Sequence, residues 1–198
     1  MSDYINLIQK RRSMSKLKKT INLNQQDIFN KIQLAIKHSP SAFNAQSVSA
    51  VVLFDHQHHN FWDEVLNQIL PFVPKGKEKN SIEKIDGFRQ GDGTIIFLEN
   101  KLVGEKLKER FPLYKDNVEL WKDQGQGFAQ YAVWLMLTDY GVSASLQHYN
   151  PLVNDYIYKQ IGISEDYEII AQMPFGSADD VVQERKDKNI DERVFKKD

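Results

Sequence analysis

Apolar residues recur along this chain at two periods, near 3.6 and near 2, and their alternation lays out an order of elements. Residues 3–9 carry Tyr4, Ile5, Leu7 and Ile8 at positions suited to a short helix. From about residue 24 to 38, Ile28, Ile32, Ala35 and Ile36 fall on one helical face. Asn24 is placed to cap that helix, and Ser39-Pro40 ends it because proline disfavours a helical residue before it. Residues 48–54 are short and β-branched and predict a core strand, and residues 60–70 predict a helix. Thr94 to Leu98 is a second strand, preceded by the turn-rich Gly91-Asp92-Gly93. A long helix is expected from about 116 to 140, closed by Gly141. Residues 142–147 predict a further strand, and Asn150-Pro151 opens a helix to about 160 with proline at its first position. Residues 168–173 are the last core strand, closed by Pro174-Phe175-Gly176.

The resulting order is α, α, β, α, β, α, β, α, β and a polar tail, which argues for a sheet covered by helices. Residues 128–137 are apolar almost all round, so that helix must be buried on most faces. In a chain of 198 residues, a second subunit is expected to supply part of the cover. No repeat or low-complexity linker divides the chain, and residues 1–198 read as one domain. The tail, about 177–198, is too polar for a core element and is either disordered or packed along another subunit.

Composition narrows the chemistry. A net charge of −1 gives no electrostatic case for nucleic acid or anionic lipid as a partner. The absence of cysteine removes disulfides, thiolate nucleophiles and iron–sulfur clusters, so redox chemistry must reside in a bound cofactor. The N-terminus lacks a signal-peptide pattern, and the longest strongly apolar stretch, 131–137, is too short to span a bilayer. A soluble cytoplasmic protein is expected, with no membrane or nucleic-acid partner.

Several motifs compete for a functional reading. Gly125-Gln126-Gly127 suggests a dinucleotide loop, but Gln130 occupies the third glycine position and residues 118–122 look helical rather than strand-like. Close packing of that helix on another backbone explains the glycines better. His56-Gln57-His58-His59 reads as a solvated loop rather than a metal site, and His148 as an ordinary satisfied histidine. Arg11-Arg12-Ser13, with Ser15 and Lys16, can supply several charge-assisted bonds to a phosphate. Further polar loops stand at 39–46, at Gln147-His148-Tyr149-Asn150-Pro151 and at Met173-Pro174-Phe175-Gly176, with basic residues at Arg185, Lys186 and Lys188.

Taken in order and spacing, Arg11-Arg12-Ser13, Ser39-Pro40-Ser41 through Asn44 and Gln46, Gly93-Thr94-Ile95-Ile96-Phe97, the 124–127 helix, His148-Tyr149-Asn150-Pro151 and Met173-Pro174-Phe175-Gly176 resemble the flavin-dependent nitroreductase family over nearly the whole chain. The likeness is to its small yeast and bacterial subgroup related to the fatty-acid-repression mutant protein. The resemblance implies an α+β three-layer sandwich, its mainly antiparallel central sheet covered by helices, in an intertwined homodimer with FMN at the interface. It implies that Arg11, Arg12 and Ser13 hold the phosphate, with Arg185 or Lys188, and that Ser15, beside Lys16, stands where the family has a basic residue. Pro40, Ser41, Asn44 and Gln46 would reach the flavin from the partner subunit. Gln147 and His148 fall where the family places backbone amides beside flavin N5, and a polar residue of segment 84–90 meets the pyrimidine edge. The implied activity is NAD(P)H-dependent, ping-pong hydride transfer through N5 to a planar nitroaromatic or quinone, with no side-chain nucleophile. A flavin-binding redox sensor with little turnover is the alternative.

Overall fold

The computed structural model describes residues 3–179 and 186–197. Helix α1 spans Asp3–Lys10 and α2 Gln25–Lys37, where the Asn24 side chain accepts from Asp27 N–H at 3.0 Å. Strand β1 (Val48–Phe54) leads into α3 (Asp55–Ile69), α4 (Glu78–Arg89) and β2 (Gly93–Asn100). Then come α5 (Lys101–Arg110), the long α6 (Val118–Asp139), the two-residue β3 (Ser143–Ala144), α7 (Asn154–Tyr156) with a wider turn over Ile157–Ile161, and β4 (Tyr167–Gly176). The sheet order is β1-β2-β4-β3 and every pairing between these strands is antiparallel.

Both faces of the sheet are covered, because alternate residues of the central strands are apolar on each side. Leu53, Ile96, Leu98 and Ile169 pack against Phe61, Trp62 and Val65 of α3 and Ile85 and Phe88 of α4. Ile95, Phe97, Ala171, Met173 and Phe175 face Ile28 and Ile32 of α2 and Val133 and Leu137 of α6. Burying one such side chain contributes about 1.5–3 kcal/mol, so these two layers hold the sheet flat between them. The expected α+β three-layer arrangement is therefore present. Among the described residues, no helix is long and apolar enough to cross a membrane.

Several elements differ from expectation, each for a local reason. β1 is an edge strand, half-buried except at Leu53, rather than a core strand. The segment 56–59 is the first turn of α3, not a solvated loop: His58 is 0% exposed. Its ring bonds Thr94 Oγ1 at 2.8 Å and Arg89 O at 3.1 Å, while Trp62 Nε1 donates to the same threonine at 2.8 Å. Burial pushes the His58 ring down to about 4, despite the opposing bond to Arg89 O. α4 and α5 were not expected; each carries an internal glycine, Gly87 or Gly104, and α5 buries no residue, so their apolar periodicity is weak. The strand expected over 142–147 shrinks to two residues plus an isolated Gln147–Gln172 bridge. No helix opens at Pro151, because Asn150 Oδ1 accepts from Gln172 Nε2 (3.4 Å) instead of capping, and residues 151–153 form a turn. β4 runs through Pro174, whose position needs only its carbonyl, an acceptor for Ser145 N–H at 3.2 Å.

The helix before Gly125 is continuous from Val118, which rules out the strand–loop–helix setting of a dinucleotide site. The close backbone approach expected at those glycines is not made among the described residues: an added Cβ at Gly125 or Gly127 would meet none of their atoms within 4 Å. Instead α6 presents Phe128, 52% exposed, and Tyr131 to solvent in the single chain.

Candidate cofactor site

The N-terminal basic motif is fixed to the sheet through its backbone. Ser13 pairs in parallel with Ala144, and Met14 N–H donates to Ala144 O at 3.0 Å. Further on, Leu17 N–H donates to Gly87 O (2.9 Å), Lys18 pairs with Ser177, and Thr20 gives its N–H (3.0 Å) and hydroxyl (2.5 Å) to buried Asp92. Gly87 permits this seam: a Cβ there would lie 2.3 Å from Ser15 O. Residues 11–13 therefore form a ribbon outside β3. Arg11 lies flat over the Trp134 ring, its Cζ 4.4 Å from the centroid, which restrains the guanidinium. The buried Trp134 indole N–H has no acceptor among the described residues. Arg12 is half-buried, and Ser13 and Ser15 are exposed.

Beside this ribbon runs the segment 145–149. Gln147 and Gln172 exchange two backbone hydrogen bonds, 2.7 and 2.8 Å, and Tyr149 N–H donates to Gln172 Oε1 at 2.8 Å. Alternation leaves the His148 N–H between them without a hydrogen bond among the described residues. Of the two expected backbone donors, Gln147 is thus committed to the sheet and His148 is open. The Gln147 side-chain amide turns back to Ser145 Oγ (2.8 Å) and Leu146 O (2.9 Å). Burial pushes the Tyr149 phenol up to about 12, so it stays neutral near pH 7.

Segment 84–90 places Lys84 here, its Nζ 5.9 Å from the Tyr149 ring and 5.7 Å from that of Phe88. Arg89, the other cation of the segment, is taken by Asp63 (2.5 Å) and Asp86 (2.7 Å). Lys84 is thus the cation of segment 84–90 that the structure brings beside Tyr149. Its spacing of four from buried Phe88 was the available signal.

Pro40, Ser41, Asn44 and Gln46 belong to a different part of the molecule. Phe43, Asn44 and Gln46 all have left-handed backbones, φ 51°, 55° and 53°. For phenylalanine and glutamine this costs on the order of 1–3 kcal/mol each, a strain found where surrounding contacts impose it. Phe43 stacks on Phe111 (4.1 Å between centroids) and meets the edge of Trp121 (5.4 Å). Gln46 N–H donates to Ser41 Oγ at 3.0 Å. Pro40, Ser41 and Gln46 line a cleft of ≈ 790 Å³ with Leu34 and Lys37 of α2 and the start of β1, and Asn44 is exposed on the same loop.

These groups do not meet within one chain. The ribbon 11–13 lies beyond β3, at the end of the sheet where Gly93 pairs with Phe175. Loop 40–46 leads into β1, at the end where Val48 pairs with Glu99. They occupy diagonally opposite corners, four strand spacings or roughly 19 Å apart across the sheet alone. Lys188 is exposed in the tail, as is Lys186, and Arg185 lies outside the described residues.

The antiparallel sheet between two helical layers is the fold of solved nitroreductases. The chain belongs to that family: the Nitroreductase family matches residues 8–177. HBN1 of Saccharomyces cerevisiae is 31% identical over 179 residues, covering 89% of each chain. Nitroreductase CinD from Lactococcus lactis, solved in complex with 4-nitrophenol, has a TM-score of 0.86 at 31% identity over 98% of both chains. A nitroreductase from Desulfitobacterium hafniense with bound FMN shares the fold, with a TM-score of 0.73 at 16% identity over 100% of both chains.

Proposed function

We propose that this chain is an FMN-dependent NAD(P)H oxidoreductase working as a homodimer, with each FMN site divided between two subunits, and that it reduces nitroaromatics or quinones. Bound FMN would supply hydride acceptance and donation at N5, in a ping-pong order. The observation that supports the reading is the diagonal separation, within one chain, of the two groups of residues that the family resemblance assigns to one site. One corner offers Arg11, Arg12 and Ser13 for a phosphate and the open His148 N–H for a ring acceptor, with Lys84 adding positive charge beside Tyr149. The tail cations, Lys188 or Arg185, are the remaining phosphate candidates. The other corner offers Pro40, Ser41 and Gln46 along an open cleft, with Asn44 exposed on the same loop.

Three further features support pairing of two chains. Phe128, Tyr131 and Leu34 are apolar and exposed, β1 leaves one edge unpaired among the described residues, and the tail exposes Ile190, Val194 and Phe195. The CinD complex with 4-nitrophenol and the FMN-bound relative make the acceptor and cofactor classes reasonable for this chain.

A complementation experiment tests the shared site. Arg12→Ala and Ser41→Trp each damage a different corner, so each homodimer should lose FMN. Mixed dimers rebuild one site from the two undamaged corners and should regain one FMN per dimer. Mixed dimers that remain colourless, or a monomer that binds FMN fully, would reject the divided site. For the activity, NADH or NADPH should bleach the bound flavin and 4-nitrophenol or a quinone should restore its colour. A flavin that stays oxidised under both nucleotides would favour the sensor.

A further inference from the structure

Behind loop 41–46 lies a second space, separate from the cleft, of ≈ 180 Å³. Glu99 lines it and is only 2% exposed. It stands near the end of β2 on the same face as Ile95 and Phe97, where a large apolar residue would otherwise continue the core. Its carboxyl accepts from Gln126 Nε2 at 2.7 Å and from the Ser47 hydroxyl. Gln126 also donates to Leu98 O (3.0 Å) and accepts from Gln130 (3.3 Å), so the amide is held in place. Both partners of Glu99 are neutral. Lys122, the lysine whose charge acts on Glu99, is bound at 2.9 Å to each of Glu119 and Glu168.

A carboxylate deprived of water and given only neutral donors is costly, by several kcal/mol. Burial accordingly raises the Glu99 carboxyl above its ordinary range, against the pull of Ser47, Gln126 and Lys122. The rest of the lining carries three carboxyls, Glu105, Glu119 and Glu168, with Lys101 and Lys122. These three are already paired, Glu105 and Glu119 with Lys108 and Glu119 and Glu168 with Lys122, so Glu99 is the carboxyl there with neutral hydrogen-bond partners. Trp121, Leu107 and Val118 supply the apolar part of the lining. A cavity of about 150 Å³ accepts a benzene ring, so one substituted ring matches this space.

We propose that this cavity is a second binding site, for a small aromatic ammonium compound whose cation pairs with Glu99 and whose ring lies against Trp121. The pairing gives the buried carboxyl a direct cationic partner, where Lys122 acts on it only at a distance, and the ring displaces water from the apolar part of the lining. Ser41 lines both this cavity and the larger cleft, so an occupant touches the loop that the proposed function assigns to the partner subunit's flavin. The site itself requires neither flavin nor a nicotinamide.

Calorimetric titration of the full-length protein, with and without FMN, tests this using benzylammonium and its uncharged analogue benzyl alcohol. Wild type should bind the cation at least about tenfold tighter than the alcohol, and Glu99→Gln should bring the two within about twofold. Gly104→Leu fills the cavity from α5, where an added Cβ sits at ordinary contact, 3.7 Å from Val118 Cγ1. It should abolish binding of both compounds while the melting temperature holds or rises. Should Glu99→Gln unfold, the Gly104→Leu result decides. No binding to wild type, no preference for the cation, a preference that survives in a folded Glu99→Gln protein, or binding that survives Gly104→Leu would each overturn the proposal.

Discussion

The two corners of the sheet solve the problem of presenting polar groups in opposite ways. At the ribbon corner the backbone is tied down strand by strand, through Ala144, Gly87, Ser177 and Asp92, and Arg11 rests on Trp134. At the loop corner the backbone itself is the exception, with three non-glycine residues in left-handed conformations braced by Phe111 and Trp121. A corner built on sheet pairing can lose a side chain and keep its shape. A corner built on strained turns couples shape to side chain, so substitutions there act on both.

That contrast can be tested from its strongest effect downward. The scaffold of the ribbon corner includes His58, which ties α3 to the end of α4 through Arg89 O. Its pKa falls from 6.5 unfolded to about 4 folded, so between those values the unfolded chain binds a proton that the folded chain refuses. Stability should be full above pH 6.5 and drop by roughly 3 kcal/mol as pH falls to about 4, with the slope lessened in His58→Asn. Denaturant melts across that range measure it, and identical slopes in the two proteins would remove His58 from the account. Next in size, Arg12→Ala should weaken FMN binding by about 1.5–3 kcal/mol with little change in melting temperature, read by quenching of flavin fluorescence. Unchanged affinity would reject the phosphate assignment.

Trp134→Leu, which removes the surface beneath Arg11, should cost about 0.5–2 kcal/mol of the same affinity and more at low salt. The smallest and most diagnostic change is Gln46→Gly. It relaxes a left-handed residue and should leave stability within about 1 kcal/mol of wild type, on the favourable side. Flavin affinity should nevertheless fall. A glycine that raised both would show that the strain at this corner serves no binding role.

How much of this was legible in the chain depended on whether a signal was local. The Asn24 cap, the β-branched run of β1 and the apolar length of α6 depend on neighbours in sequence, and they appear where expected. His58 did not read as buried because its partners, Thr94 and Arg89, lie more than thirty positions away and a polar quartet has no periodicity of its own. The ribbon Arg11-Arg12-Ser13 was visible as a phosphate motif, yet its parallel alignment with Ala144 is a long-range pairing that composition does not encode. The same holds for His148, whose open amide exists only because Gln147 and Tyr149 are both engaged by Gln172.

The seam at Gly87 has a genetic consequence. Position 87 has no side chain to offer a ligand, and it lies on a helix of little apolar periodicity, where a change to alanine would pass for conservative. An added methyl would nevertheless press on Ser15 O and shift the ribbon that carries Arg12. In a screen of random variants for soluble but colourless protein, Gly87 should therefore be recovered beside the arginines themselves, a helix mutation with the phenotype of a lost cofactor.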